Sequence, residues 1–152
     1  MKSTPFVFPP YRAFFLTLIF LMPIHFLIPL TRLLIFPYTI LLGGPLILLA
    51  IFLCLWQQRT MQRHRQSGLY RALPSTLITD GPFRISRNPL YVGMLVCSLG
   101  IALSLGSLGA LALIALEWIL MNFWGIPFEE QVLEVQFGET YTAYKRRVRR
   151  WL

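Results

Sequence analysis

The residues in this sequence best able to do chemistry are three acids and two arginines. Glu129 and Glu130 follow a proline closely, and Arg84 and Arg87 lie in an earlier polar stretch. Paired acids after a proline are typical of a helix N-terminus, where the macrodipole stabilises negative charge by about 0.3–1 kcal/mol. Glu117 lies inside an apolar run, where a carboxylate facing lipid would cost about 2.5–3.5 kcal/mol. It therefore belongs inside a helix bundle, either as a functional carboxylate or as the hydrogen-bond partner of another helix.

No metal site is expected from the other candidate ligands. Cys54 and Cys97 lie in apolar runs without metal-ligand spacing, and His25 and His64 are the only histidines. We interpret both cysteines as small buried side chains and His25 as a histidine hydrogen-bonded within a bundle. No G-x-G-x-x-G or Walker loop occurs, which argues against a soluble nucleotide-binding fold.

The composition predicts an all-α, polytopic membrane protein with a single domain over residues 1–152. Hydrophobic residues make up 56% of the chain and charged residues 13%, which is too apolar for an ordinary soluble domain of this length. The net charge of +8 raises the question of nucleic acid. The basic residues flank apolar runs, however, so the bilayer with its anionic headgroups is the expected partner, and nucleic acid is not.

Four transmembrane helices are expected, at residues 13–30, 38–56, 90–105 and 110–124. The apolar run from 90 to 124 would measure roughly 52 Å as one helix, far more than the ~30 Å hydrocarbon core. We therefore place a break at residues 106–109, which turns the run into a helical hairpin. In the second span, Gly43 and Gly44 are expected to allow close packing against another helix.

Basic residues are concentrated in the loop 57–89 and in the tail 125–152, which the positive-inside rule places in the cytoplasm together with the N-terminus. Arg59 and Arg63 are interpreted as a snorkelling flank that can continue the second helix into the headgroup layer.

The N-terminus shows no cleavage site. With the short length and the lack of an organelle signal, this favours a prokaryotic plasma membrane.

The tail is expected to form an amphipathic helix over residues 129–152. Tyr141, Tyr144, Val148 and Trp151 recur at spacings of three and four, opposite a cluster of lysine and arginine. This pattern is typical of a helix that lies in the membrane surface.

Two motifs carry a family resemblance. The first reads Ser75-Thr-Leu-Ile-Thr-Asp-Gly-Pro-Phe-Arg-x-x-Arg-Asn-Pro-x-Tyr91, and the second, after the hairpin, reads Glu129-Glu130-x-x-Leu133-x-x-x-Phe137-Gly138-x-x-Tyr141-x-x-Tyr144. Together they resemble the isoprenylcysteine carboxyl methyltransferase and phospholipid methyltransferase superfamily. The resemblance extends from Ser75 to the C-terminus, about half the chain.

The resemblance implies an integral membrane enzyme that uses S-adenosylmethionine and methylates a lipid or small apolar acceptor at the cytoplasmic interface. Arg84 and Arg87 are assigned to the substrate or a lipid headgroup. The residues implied to hold the cofactor come from the loop, the start of the third span and the tail: Ser75, Thr76, Leu77, Ile78, Phe83, Asn88, Pro89, Leu90, Tyr91 and Glu129.

Three positions depart from the prenylcysteine enzymes, which commonly have histidine where this chain has Ser75 and Asn88. Gly125 stands where they have an arginine implicated in substrate binding. Asn88 can still donate and accept hydrogen bonds, but without the arginine a prenylcysteine carboxylate loses its partner.

A carboxylate acceptor needs no base because it is anionic near pH 7. An amine or thiol acceptor must lose a proton, and Glu130 and Glu117 are the candidate catalytic bases for that step.

Two other functions remain open at the level of sequence. A membrane reductase related to sterol reductases would use NADPH, and Arg84 with Arg87 would bind its adenosine phosphate. A non-enzymatic subunit of a membrane complex would need the basic residues only as flanks of the spans. Binding of S-adenosylhomocysteine, of NADPH or of neither separates the three, because a ligand of the folded state raises apparent stability.

Overall fold

The computed structural model describes residues 11–27, 38–64, 76–107 and 109–152, and within these ranges every regular element is helical. The elements are α1 (Tyr11–Leu27), α2 (Tyr38–Arg63), a 3-10 turn (Gly81–Arg84), α3 (Pro89–Leu105), α4 (Gly109–Leu120), a π-helical turn (Met121–Gly125) and α5 (Ile126–Arg147). The predicted all-helical class is confirmed for the described part of the chain. The last residues of the predicted first span, 28–30, lie outside it.

Among the residues that the structure describes, two helices are long and apolar enough to cross a membrane: Tyr38–Arg63 and the continuous stretch Gly109–Arg147. Helices α1 and α3 are also apolar but have 17 residues each. The number of spans therefore stays a prediction. Helix α2 runs on past residue 56 to Arg63, so the expected continuation of the second helix through Arg59 and Arg63 is confirmed.

The break between α3 and α4 lies where the sequence places it. Gly106 has a φ of 63°, in the left-handed region, and its N–H donates to the carbonyls of Ala102 and Leu103. The Ser107 N–H donates to the Ala102 carbonyl at 3.1 Å. Glycine adopts this conformation without a Cβ clash, which is why it ends so many helices. Helix α4 then starts at Gly109 and completes the predicted hairpin.

Helix α4 passes through the π-helical turn into α5 without leaving the helical conformation. The tail helix therefore begins at Ile126, earlier than residue 129, and it ends at Arg147. The prediction of a helix to residue 152 is wrong, because Val148 is extended, with φ −120° and ψ 132°. Gly138 also interrupts α5, with a φ of 50°. Residues 148–152 form a non-helical segment that we call the strap.

Helices α2 and α3 make the most extensive pairing in the described part of the chain. A Cβ on Gly43 would lie 2.3 Å from the Gly100 carbonyl oxygen and 2.1 Å from the Ser104 Oγ, whereas a Cβ on Gly44 would meet nothing within 4 Å. The expectation of close packing is thus confirmed for Gly43, and Gly44 faces away from the neighbouring helices. Small residues allow such backbone approach between membrane helices.

Glu117 is buried inside the bundle with 1% of its surface exposed. The hydroxyls of Thr17 on α1 and Ser98 on α3 lie beside its carboxyl group. The carboxylate therefore does not face lipid, as the cost of such exposure predicts.

Candidate functional site

The end of α2 contacts the first half of the polar loop between α2 and α3. Gly81, which starts the 3-10 turn, has a φ of 57°, and a Cβ there would lie 2.6 Å from the Thr60 Oγ1. His64 Nε2 lies 2.9 Å from a carboxylate oxygen of Asp80. The extension of α2 beyond the apolar stretch thus positions the loop, and Pro82 is buried in it.

The second half of the loop is held by α5. The Tyr144 hydroxyl donates to the Phe83 carbonyl oxygen at 2.7 Å, and Tyr141 and Tyr144 are both buried. The predicted apolar stripe is therefore covered by protein at these two positions, and its place in the membrane surface stays a prediction.

Both phenols lie beyond the apolar part of the helix. Burial raises the pKa of Tyr141 and of Tyr144 to about 12, and in each case the Arg87 guanidinium acts in the opposite direction. The phenols are therefore neutral at pH 7 and act as hydrogen-bonding groups, not as bases.

An ion cluster joins the loop, α5 and the strap. Arg87 Nη1 lies 2.9 Å from Glu130 Oε1, and Arg150 donates to both oxygens of the same carboxylate, from Nη2 at 2.6 Å and from Nε at 3.3 Å. The side chains are 10% exposed for Arg87, 8% for Glu130 and 33% for Arg150. Two guanidiniums thus share one buried carboxylate, which leaves a formal surplus of one positive charge.

The strap crosses the start of α3. Asn88 Nδ2 and Ser86 Oγ donate to the Arg150 carbonyl oxygen at 2.9 and 3.2 Å, and the Arg87 N–H donates to the Arg149 carbonyl at 3.0 Å. On its other side, Trp151 Nε1 donates to Asn122 Oδ1 at 3.1 Å. The strap is therefore fixed both to the loop and to the π-helical turn.

A groove between α3 and α4 leads towards this region. Its volume is about 410 Å³ and its lining is apolar: Leu95, Val96, Leu99, Leu111, Ile114, Ala115 and Trp118. The Trp118 ring lies 6.4 Å from the Trp151 ring, measured between centroids. The groove therefore ends beside the strap and is open along α4, where Leu111, Ala115 and Trp118 are exposed.

Comparisons with known proteins identify the family in which these motifs occur. The model of the family described as phospholipid methyltransferase matches residues 38–140, which is more than half of the chain. The chain belongs to the phospholipid methyltransferase family. The predicted resemblance is confirmed, and the match begins at α2, so the second helix also carries family signal that the motifs did not reveal. The strap lies outside the matched residues.

Curated relatives extend the same likeness. Protein-S-isoprenylcysteine O-methyltransferase B of Arabidopsis thaliana is 36% identical over 75 residues, 47% of this chain and 36% of its own length. Protein-S-isoprenylcysteine O-methyltransferase of Schizosaccharomyces pombe is 32% identical over 107 residues, 64% of this chain and 44% of its own. Cobalt-zinc-cadmium resistance protein CzcN of Cupriavidus metallidurans is 38% identical over 73 residues, which are 48% of this chain and 33% of its own length. The chain thus spans less than half the length of these three relatives. No solved structure gave a significant match.

Several of the predicted site residues are buried in the structure of this family member. Asn88, Pro89 and Tyr91 are buried at the start of α3, and Ile78 is buried in the loop. The remaining predicted cofactor residues that the structure describes are half-buried, apart from the exposed Thr76: Leu77, Phe83, Leu90 and Glu129. Ser75 lies outside the described residues.

Other predicted residues differ in exposure and in their contacts. Arg84 is exposed, whereas the Arg87 side chain is 10% exposed and pairs with Glu130. Glu117 lies beside Thr17 and Ser98 within the bundle, and Ser98 is about 15 Å along α3 from Asn88 at ~1.5 Å per residue. Glu130 lies in the ion cluster, where both of its carboxylate oxygens contact guanidinium groups.

Four residues of the site were not predicted: Ser86, Asn122, Arg150 and Trp151. Arg150 was interpreted only as part of a basic flank and Trp151 as part of an amphipathic stripe. Their roles depend on the chain leaving the helix after Arg147 and folding back onto the loop. No local pattern in the sequence predicts such a long-range contact.

Proposed function

We propose that this protein is an S-adenosylmethionine-dependent membrane methyltransferase that acts on a lipid or small apolar acceptor. The observation that carries the proposal is the meeting of the two family motifs at the Arg87–Glu130 ion pair. Loop and tail residues far apart in sequence thereby form one polar wall at the end of an apolar bundle. A soluble cationic cofactor and a lipid acceptor can meet only at such a boundary.

The residues present fit the cofactor. Nε of Arg87 is buried and makes no well-aligned hydrogen bond to the described residues, so it is suited to an anion such as the cofactor's carboxylate, while Nη1 pairs with Glu130. Asn88 and Glu129 supply hydrogen-bonding groups, and Ile78 with Tyr91 supplies apolar surface. When bound, S-adenosylmethionine provides an electrophilic methyl group. The protein's own contribution is then to position the acceptor and exclude water, which supply much of the rate in such displacements.

The placement of the acids favours an acceptor that is already nucleophilic at neutral pH. Glu130 contacts two guanidinium groups, and Glu117 lies among helices away from the loop. Neither is free to take a proton from an amine or thiol at this wall. A carboxylate needs no such base, and the surplus positive charge of the ion cluster would attract it.

The cofactor assignment predicts saturable binding of S-adenosylhomocysteine to the detergent-purified protein. Glu129→Ala and Asn88→Ala should each raise the dissociation constant about ten- to a hundredfold, because a hydrogen bond that involves a charged group contributes about 1.5–3 kcal/mol. Isothermal titration calorimetry measures this directly. Glu139→Ala, at an exposed position of α5, is the matched control and should bind like the unmodified protein.

The same preparation separates the competing functions. A thermal shift with NADPH and none with S-adenosylhomocysteine would assign the protein to the reductases. Well-folded protein that responds to neither ligand would support a non-enzymatic subunit and end the methyltransferase proposal.

The groove predicts where the apolar part of the acceptor lies. Ala115→Trp should fill it and lower kcat/KM for the acceptor roughly tenfold or more, as steric changes in apolar pockets do. Binding of S-adenosylhomocysteine should not change. Ala112→Trp, on an exposed position of α4 outside the groove lining, should have little effect. Equal kinetics for the two variants would show that the acceptor is bound elsewhere.

A further inference from the structure

Among the described residues of the strap, only Arg150 contacts the loop and α5 through both its side chain and its backbone carbonyl. Its guanidinium donates to both oxygens of Glu130 and lies 3.5 Å from the Asn122 carbonyl oxygen. Its backbone carbonyl accepts from Asn88 and Ser86. Arg149, its neighbour, is exposed and contacts the loop through its backbone carbonyl. Two adjacent arginines thus have different structural roles.

The contact with Asn88 fixes the direction of its side-chain amide. A backbone carbonyl can only accept a hydrogen bond, so the amide group that faces Arg150 must be the Nδ2 donor. The Oδ1 acceptor is then turned away from the strap. Whatever binds next to Oδ1 must therefore present an N–H or O–H group.

The contact with Glu130 fixes Arg87 in turn. Glu130 is shared by both guanidiniums, and paired contacts between arginine and carboxylate are strong and set the orientation of both groups. Without Arg150, the Glu130 carboxylate pairs with Arg87 alone. It is then free to rotate towards the Arg87 guanidinium. The Arg87 guanidinium, whose Nη1 pairs with Glu130, would then change direction.

We propose that Arg150 is a positioning residue of the site, which docks the strap onto the loop and so sets the orientation of Asn88 and Arg87 for ligand binding. The inference rests on the proposed function, because it assumes that these two residues contact the cofactor. The ligand class it selects carries a donor for Asn88 Oδ1 and an anionic group for Arg87. An amino acid-like group has both.

The test compares Arg150→Ala with Arg149→Ala in the full chain. We expect Arg150→Ala to weaken S-adenosylhomocysteine binding by roughly ten- to a hundredfold and Arg149→Ala to leave it unchanged. Added ethylguanidinium should restore binding to Arg150→Ala, because it can replace the missing group on Glu130. Arg150→Lys, which keeps the charge but not the two-pronged contact, should fall between. If Arg150→Ala binds like the unmodified protein, the proposal is wrong.

Amide hydrogen exchange provides a readout that does not depend on the ligand. Arg150→Ala should speed exchange across residues 86–92, where the strap is docked, and Arg149→Ala should not. If the unmodified protein binds no S-adenosylhomocysteine but this difference is present, the proposed function fails while the docking role of Arg150 stands. If exchange is the same in both variants, the docking role itself is overturned.

Discussion

Replacing Glu130 by alanine is expected to destabilise the protein by about 3–5 kcal/mol, the range for removing one partner of a buried ion pair. The substitution leaves Arg87 buried without a carboxylate and removes the group that holds Arg150. Buried charge without a partner is costly because it has lost its water and gained nothing in return. Equilibrium unfolding in detergent, followed by circular dichroism, measures the loss.

Glu134→Ala is the matched control, on the same helix. Glu134 pairs with Lys145, but both side chains are at the surface, where an ion pair contributes about 0–1 kcal/mol. We therefore expect a small change for this variant. If the two variants lose the same stability, the ion cluster does not hold the loop, the strap and α5 together as described.

The second large effect is expected at Gly43. Alanine at this position would place a methyl group 2.3 Å from the Gly100 carbonyl oxygen and 2.7 Å from the Ser104 backbone nitrogen. Such backbone atoms cannot move without shifting a helix, so α2 and α3 must separate. Overpacking of this kind costs about 1–3 kcal/mol and occasionally more. Thermal unfolding of the detergent-solubilised protein should show the loss.

Gly44→Ala changes the neighbouring residue of the same helix in the same way. A methyl group there meets nothing within 4 Å, and alanine is favoured over glycine in a helix by about 0.8–1.0 kcal/mol. The expected sign is therefore opposite to that of Gly43→Ala. Destabilisation by Gly44→Ala that matches the loss at Gly43 would contradict the α2–α3 packing described above.

Much of the helical framework could be predicted because its signals are local. The run of apolar residues after Pro89 is too long for one span, and Gly106 is a residue that can adopt a positive φ, so the break in the hairpin was located correctly. The motif from Ser75 to Tyr91 was recognised by residue type and spacing alone. These features depend on neighbouring residues and on the thickness of a bilayer, and both are known before the chain folds.

The tail shows where local signals fail. Tyr141 and Tyr144 have the spacing of one helical face, and that spacing predicts which side chains share a side but not what covers them. In the structure the two phenols pack against protein, and Tyr144 donates to the Phe83 carbonyl. Lipid and a protein interior both accept aromatic side chains, so composition could not decide between them.

The sequence by itself determined that the chain is apolar and helical, that it turns back at Gly106, and that two motifs of a methyltransferase superfamily lie on either side of that turn. Only the tertiary structure decided that Glu130 is shared between Arg87 and Arg150, that Glu117 lies away from the loop, and that the strap fixes Asn88. The physical reason is that helix formation and hydrophobicity act over a few neighbouring residues. Pairing of charges depends on which distant segments meet, and that follows from the packing of the whole bundle.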